Sequence, residues 1–184
     1  RILPIWPMLP DGHCGCLHPR CPSPGKHPLS RLVANGVHGA DSAEHTVRRW
    51  WAECPTANIG VATGAGSGLV VLDVDGELGA ESLRDLEQRY GVLPPTVRSI
   101  TGSGGQHLFF RHPGRPVPNR VALAPGLDVR GDGGYVVVPP SRHASGRAYT
   151  WEVTARPDEV AVAPLPSWLL ELVVGRRNGL AGRG

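Results

Sequence analysis

The 184-residue chain carries a formal net charge of +3 at pH 7 and 40% hydrophobic residues, which suits one domain with a sizeable core. So mild a basicity permits a polyanionic partner without requiring one. No apolar run is long enough to span a membrane, and the amino terminus lacks the basic flank and apolar core of a secretory leader, so a soluble, cytoplasmic protein is expected.

Residues 1 to 40 are rich in Pro, Gly, Cys and His, the composition of a loop-built region that needs a staple in place of a large core. From Asp41 the character changes. Asp41 with Glu44 resembles a helix start, Val47, Trp50 and Trp51 supply an apolar stripe, and Pro55 ends the run. Ile59 to Thr63 and Leu69 to Val74 read as a hairpin pair around the small-residue turn Gly64 to Gly68. Gly79 to Tyr90 reads as a second helix with Leu83, Leu86 and Tyr90 on one face and Gly91 as its stop. Strands are expected at Val97 to Thr101, His107 to Arg111, Tyr135 to Val138 and Tyr149 to Val153, separated by Gly and Pro clusters. Pro164 to Val174 ends in a short helix around Trp168, Leu169 and Leu172, and the Gly/Arg-rich stretch from Gly175 to Gly184 reads as a linker. Helix, hairpin, helix, then mostly strands favours a mixed α/β or α+β domain over a doubly wound parallel sheet.

The strand Leu69-Val70-Val71-Leu72-Asp73-Val74-Asp75-Gly76 drives two carboxylates out of an otherwise buried run. Asp73 and Asp75 are two apart, so on a strand they point the same way, and like charges so placed need a cation or a shared proton. Asp128, in Pro125-Gly126-Leu127-Asp128-Val129-Arg130-Gly131, is a third acid for an oxygen-rich Mg or Mn site of the kind phosphoryl or nucleotidyl transfer uses. The alternative, in which Asp73 ends the strand and Asp75-Gly76 is only a turn, stays open at this level. Arg130, two residues after Asp128, would face the same site and neutralise charge on a bound triphosphate; otherwise it merely pairs with Asp128.

In Thr101-Gly102-Ser103-Gly104-Gly105-Gln106-His107 the glycines let backbone N–H groups approach an anion, and His107 at the next strand is placed to donate to it. The turn matches neither of the common phosphate-loop patterns, so alone it also describes an ordinary hairpin. Cys14-x-Cys16-x4-Cys21-x5-His27 offers three thiolates and an imidazole, the donor set of a closed structural zinc site, with His13 and His18 as spare donors. Lys26 in Pro24-Gly25-Lys26-His27-Pro28 is a candidate for a nucleotide or template phosphate. It is the only lysine against eighteen arginines, a bias that reads first as coding preference.

Taken in order, these segments resemble the primase/polymerase domain of the archaeo-eukaryotic primase superfamily, in the bifunctional type of plasmid, phage and integrated-element replication proteins. The series runs from the cysteine cluster with Gly25-Lys26-His27-Pro28, through Asn58 to Gly64, Val71 to Asp75, Leu93 to Thr96, Thr101 to His107 and Gly126 to Gly131. It ends with Val138-Pro139-Pro140-Ser141, Gly146 and Tyr149-Thr150-Trp151. The resemblance implies Asp73, Asp75 and Asp128 as catalytic acids holding Mg or Mn. It also implies His107, with Ser103 and Arg130, at the incoming nucleotide, and Ser141 and His143 as neighbouring candidates. It implies an RNA-recognition-motif-like sheet and a catalytic domain over residues 1 to 174, with the zinc segment about 13 to 28 inside it. The implied activity is template-directed addition of dNTPs or NTPs to a primer or an initiating nucleotide on single-stranded DNA, within a larger replication protein that carries a helicase region.

Two rivals differ in class. Leu72-Asp73-Val74-Asp75-Gly76 is similar to the opening motif of haloacid-dehalogenase-type phosphatases, but about seventy residues precede it and no Lys follows it. A zinc-stapled DNA-binding module with structural acids would bind DNA through the cysteines and ignore nucleotide.

Overall fold

The computed structural model describes residues 1–175. Its elements in chain order are β1 (Ile2–Ile5), a 3-10 turn at Gly36–Gly39, α1 (Glu44–Glu53), β2 (Asn58–Ala62), β3 (Leu69–Val74) and α2 (Gly76–Tyr90). After these come β4 (Arg98–Ile100), β5 (Gln106–Arg111), β6 (Arg120–Ala124), β7 (Leu127–Arg130), β8 (Tyr135–Val138), β9 (Thr150–Trp151), β10 (Ala163–Pro164) and α3 (Ser167–Val174). The fold is mixed α+β with two largely antiparallel sheets, one ordered β1-β2-β8 and the other β6-β7-β3-β5-β4-β9, to which β10 adds by pairing with β5. The unit β3-α2-β4-β5, with β7 on the far side of β3, forms the RNA-recognition-motif-like part of the larger sheet.

Strand periodicity sets the layers. Val70, Leu72 and Val74 of β3 join Leu108 and Phe110 of β5 and Leu127 and Val129 of β7 on one face, where Leu83 and Leu86 of α2 and Leu169, Leu170 and Val173 of α3 cover them. Phe110 is fully buried there, and truncating it to Ala would cost about 3–5 kcal/mol. The opposite face presents Val71, Val97 and Phe109 to Val136 and Val138 of the smaller sheet. Leu3, Ile5, Ala62 and Val137 then turn outward to Trp50 of α1. The order of layers is therefore helices, large sheet, small sheet, helix.

Several expectations change. The proposed hairpin of β2 and β3 does not form: β2 pairs with β1 and β8, whereas β3 pairs with β5 and β7. Gly64 (φ 97°) and Gly68 (φ 69°) let the connecting turn carry the chain from one sheet to the other, leaving a single bridge between Gly64 and Leu69. The first forty residues contain a strand, β1, which tolerates Pro4 because it lies at a sheet edge. The helix α1 has Ala43 at its N-cap; Asp41 acts earlier, its Oδ1 accepting from the Ser42 N–H (2.7 Å) and the Ala43 N–H (3.1 Å). The start of α2 falls at Gly76, three residues before the expected one. The expected linker lies, beyond Gly175, outside the described residues. Among the described residues no helix is long and apolar enough to cross a membrane.

Candidate active site

Asp73, near the carboxyl end of β3, is flanked in register by Asp128 of β7 on one side and His107 of β5 on the other. Directly opposed residues share a face, so these three side chains form one row across three strands. Arg130, two residues beyond Asp128, lies on the same face. Asp75 stands one residue past the end of β3, at the N-cap of α2, yet its backbone is still extended (φ −91°, ψ 106°) and it lines the same cleft.

That cleft, of about 440 Å³, opens between the two sheets. Asp73, Asp75, His107 and Arg130 form one wall, Tyr135, Val136 and Val137 of β8 another, and Thr101, Ser103 and the zinc-segment residues Ser23 and Lys26 the rim. Arg130 Nη2 lies 2.8 Å from Asp128 Oδ2 and 3.7 Å from Asp73 Oδ2, and His107 Nε2 lies 3.4 Å from Asp73 Oδ1. The other oxygen of Asp128 accepts from the backbone N–H of Ala122 (2.8 Å), which sits at φ 51° in a register shift between β6 and β7. Asp128 thus has its aim fixed by the sheet edge.

Electrostatics separate the acids. Burial pushes the Asp73 carboxyl up, but the hydrogen bond and charge of His107, then Arg130 and Lys26, outweigh it and hold the group below the ordinary carboxylate value. Burial followed by the charges of Asp73 and Asp128 pushes Asp75 up, with Lys26 opposing. A carboxylate raised by its neighbours is relieved by a cation, and the two carboxylates that line the cleft, Asp73 and Asp75, with Asp128 beside Asp73 but outside the cleft lining, are oxygen donors of the kind that suit Mg or Mn. His107 is buried, its Nε2 faces Asp73, and its Nδ1 has no partner among the described residues.

The turn from Thr101 to Gly105 is held by Thr101, whose Oγ1 accepts from the Gly105 N–H (2.9 Å) and meets Ser103 Oγ at 2.9 Å. A Cβ at Gly105 would run into the Val74 carbonyl and Asp75 Cα, so only glycine lets the turn lie against the acid strand. Ser141 and His143 sit elsewhere, in a second groove of about 970 Å³ that also involves Met8, Trp51 and Arg142. Ser141 is buried and its Oγ accepts from the Ile59 N–H (2.8 Å); His143 meets the ring of Tyr149 at 5.9 Å. Tyr135, Tyr149 and Asn119 also line the acid cleft, although in the sequence the tyrosines look like strand residues and carry no sign of a place in the site.

The ligand atoms of Cys14, Cys16, Cys21 and His27 all lie within 4.8 Å of one another, a closeness that no other such group, the acid trio included, shows among the described residues. His27 Nε2 is 3.5 Å from Cys14 Sγ and 3.4 Å from Cys21 Sγ. Tetrahedral zinc with sulfur at about 2.3 Å and nitrogen at about 2.0 Å has S-to-N edges of about 3.5 Å, so the donor set fits zinc. Burial holds the His27 imidazole below its usual value, the direction that favours the neutral form a metal ligand needs.

No curated protein matches the chain. The family model described as bifunctional DNA primase/polymerase, N-terminal, matches residues 1–168. The chain belongs to that bifunctional DNA primase/polymerase family, and its general role is that of a DNA primase/polymerase.

Proposed function

We propose that the chain catalyses template-directed nucleotidyl transfer, adding dNTPs or NTPs to a primer 3′-hydroxyl or to an initiating nucleotide on single-stranded DNA. The observation that carries this is the row Asp128, Asp73, His107 across three adjacent strands with Asp75 beside it in the cleft. Asp73, Asp75 and Asp128 would hold two divalent ions. Such ions, Mg or Mn, supply Lewis-acid stabilisation of the attacking and leaving oxygens. His107 and Arg130 hold the triphosphate in line, a contribution of positioning and charge, and Ser103 lies where the glycine turn meets the same phosphates. Tyr135 and Tyr149 bound the opposite wall and limit water at the reacting centre. The Cys14, Cys16, Cys21, His27 cluster is a structural zinc site at the rim. The setting consistent with this chemistry is plasmid, phage or mobile-element replication, inside a larger cytoplasmic protein that also unwinds DNA.

The test is incubation with single-stranded DNA, nucleotides and Mg or Mn, with and without primer, beside an Asp73→Ala/Asp75→Ala control. Products from the wild type alone are expected; products without primer add initiation to extension. DNA binding with no product under either metal would favour a zinc-stapled binding module.

A further inference from the structure

Lys26 belongs to the zinc segment, yet it lines the acid cleft alongside Asp73, Asp75 and His107. Its side chain is exposed, and among the described residues it forms no ion pair with any carboxylate. Its charge nevertheless reaches Asp73, Asp75 and His143. The backbone beneath this free ammonium is unusually determined for an exposed loop. The Lys26 N–H donates to the Ser23 carbonyl (3.1 Å), and Tyr135 Oη donates to the Lys26 carbonyl (2.9 Å). Asn58 Nδ2 donates to the carbonyl of Gly25 (3.0 Å), and the next residue, His27, is bound into the Cys3His cluster while its carbonyl accepts from the Trp6 N–H (3.0 Å). Gly25 sits at φ 68°, and a Cβ there would strike Met8.

So many ties hold the root of a side chain that itself touches no protein acid. In a chain with eighteen arginines, the one lysine stands where a compact point charge, not a planar fork, faces the acid cleft. We propose that the Cys3His loop, together with Tyr135, is a positioning device that holds Lys26 over the acid cleft to bind the outer phosphates of a nucleoside triphosphate. Zinc loss then withdraws Lys26 and weakens nucleotide binding at a site where zinc itself does not touch the nucleotide. This inference rests on the nucleotidyl-transfer reading of the cleft.

Calorimetric titration of the zinc-loaded protein with dATP and dAMP in the presence of Mn tests it. Lys26→Ala is expected to weaken dATP about tenfold and dAMP much less, since only the triphosphate reaches the outer subsite. Lys26→Arg should recover the affinity only in part. Tyr135→Phe should weaken dATP several-fold at unchanged zinc content, and that loss should vanish in a Lys26→Ala background, because Tyr135 acts through Lys26. Zinc-stripped protein that keeps its circular dichroism should show the Lys26→Ala affinity, with no further loss on adding that substitution. Unchanged dATP affinity in Lys26→Ala, or a loss confined to single-stranded DNA, would overturn the proposal while leaving the polymerase reading standing. Wild type that binds no dATP would overturn both.

Discussion

Asp73 and Asp128 stand directly opposite each other across β3 and β7, and a single guanidinium, that of Arg130, reaches both carboxylates. Arg130→Ala removes the one guanidinium that both part-buried acids share, leaving Asp128 without an ion-pair partner among the described residues and Asp73 with His107 alone. Its melting temperature without divalent ions is expected to fall by about 3–6 °C, and added Mn should restore more of it than in the wild type. An equal Mn response in both proteins would place the ions somewhere other than between these acids.

Asp128→Asn keeps an oxygen for the Ala122 N–H and removes the charge. Nucleotide addition should fall more than about 10²-fold with the circular dichroism spectrum intact. Retained primer extension would mean that another group is the third acid.

Metal analysis of the purified protein should give about one zinc per chain, and Cys16→Ser should lose most of it and melt at least about 5 °C lower. Zinc content unmoved by the substitution would remove Cys16 from the site.

Asp132 ties three connections together. Its Oδ1 accepts from the Ala65 N–H (2.9 Å), its Oδ2 from the Val117 N–H (2.8 Å), and His112 Nε2 lies 3.2 Å away. Burial pushes its carboxyl up, but the Val117 and Ala65 amides, then His112, hold it below the ordinary value. A depressed carboxyl contributes stability above its unfolded pKa of about 3.9, and that contribution is lost as pH falls through the lower folded value. Because the side chain is 39% exposed, Asp132→Ala is expected to cost only about 1–2 kcal/mol at pH 7. The gap to wild type should narrow progressively as pH falls below the unfolded carboxyl value of about 3.9 in denaturant titrations. A gap that stays constant down to acid would assign the loss to packing.

Much of this arrangement is written in local pattern. The short β-branched run Leu69 to Val74 between Gly68 and Gly76 marks β3 as a buried strand, and Gly91 (φ 109°) ends α2 as its position implies. What escapes local pattern depends on contacts distant in sequence. Gly79 looks like a helix boundary but lies inside α2, because the helix passes against the Gly126 carbonyl and a side chain there would collide with it. β6 carries Ala122 in a left-handed conformation and an irregular register, so its sequence shows no clean alternation. The choice of partner for β2 is made by Ile59 and Val61 packing toward the large sheet, which no feature of the Gly64 to Gly68 turn announces. In the site, carboxylates and histidine were conspicuous by type, whereas Tyr135 and Tyr149 enter the cleft only because β8 and the segment before β9 face it.

The cleft is bounded by Asp73 and His107 of one sheet and by Tyr135 to Val137 of the other, while Val71, Phe109, Val136 and Val138 fill the space between those sheets. That apolar filling therefore acts as a shim. Thinning it by Val71→Ala, or thickening it by Val138→Leu, changes how far the jaws stand apart without altering any polar group in the site. The width of the cleft is in this way a property of the protein's hydrophobic interior, and core substitutions that leave every acid in place become levers on what the cleft admits.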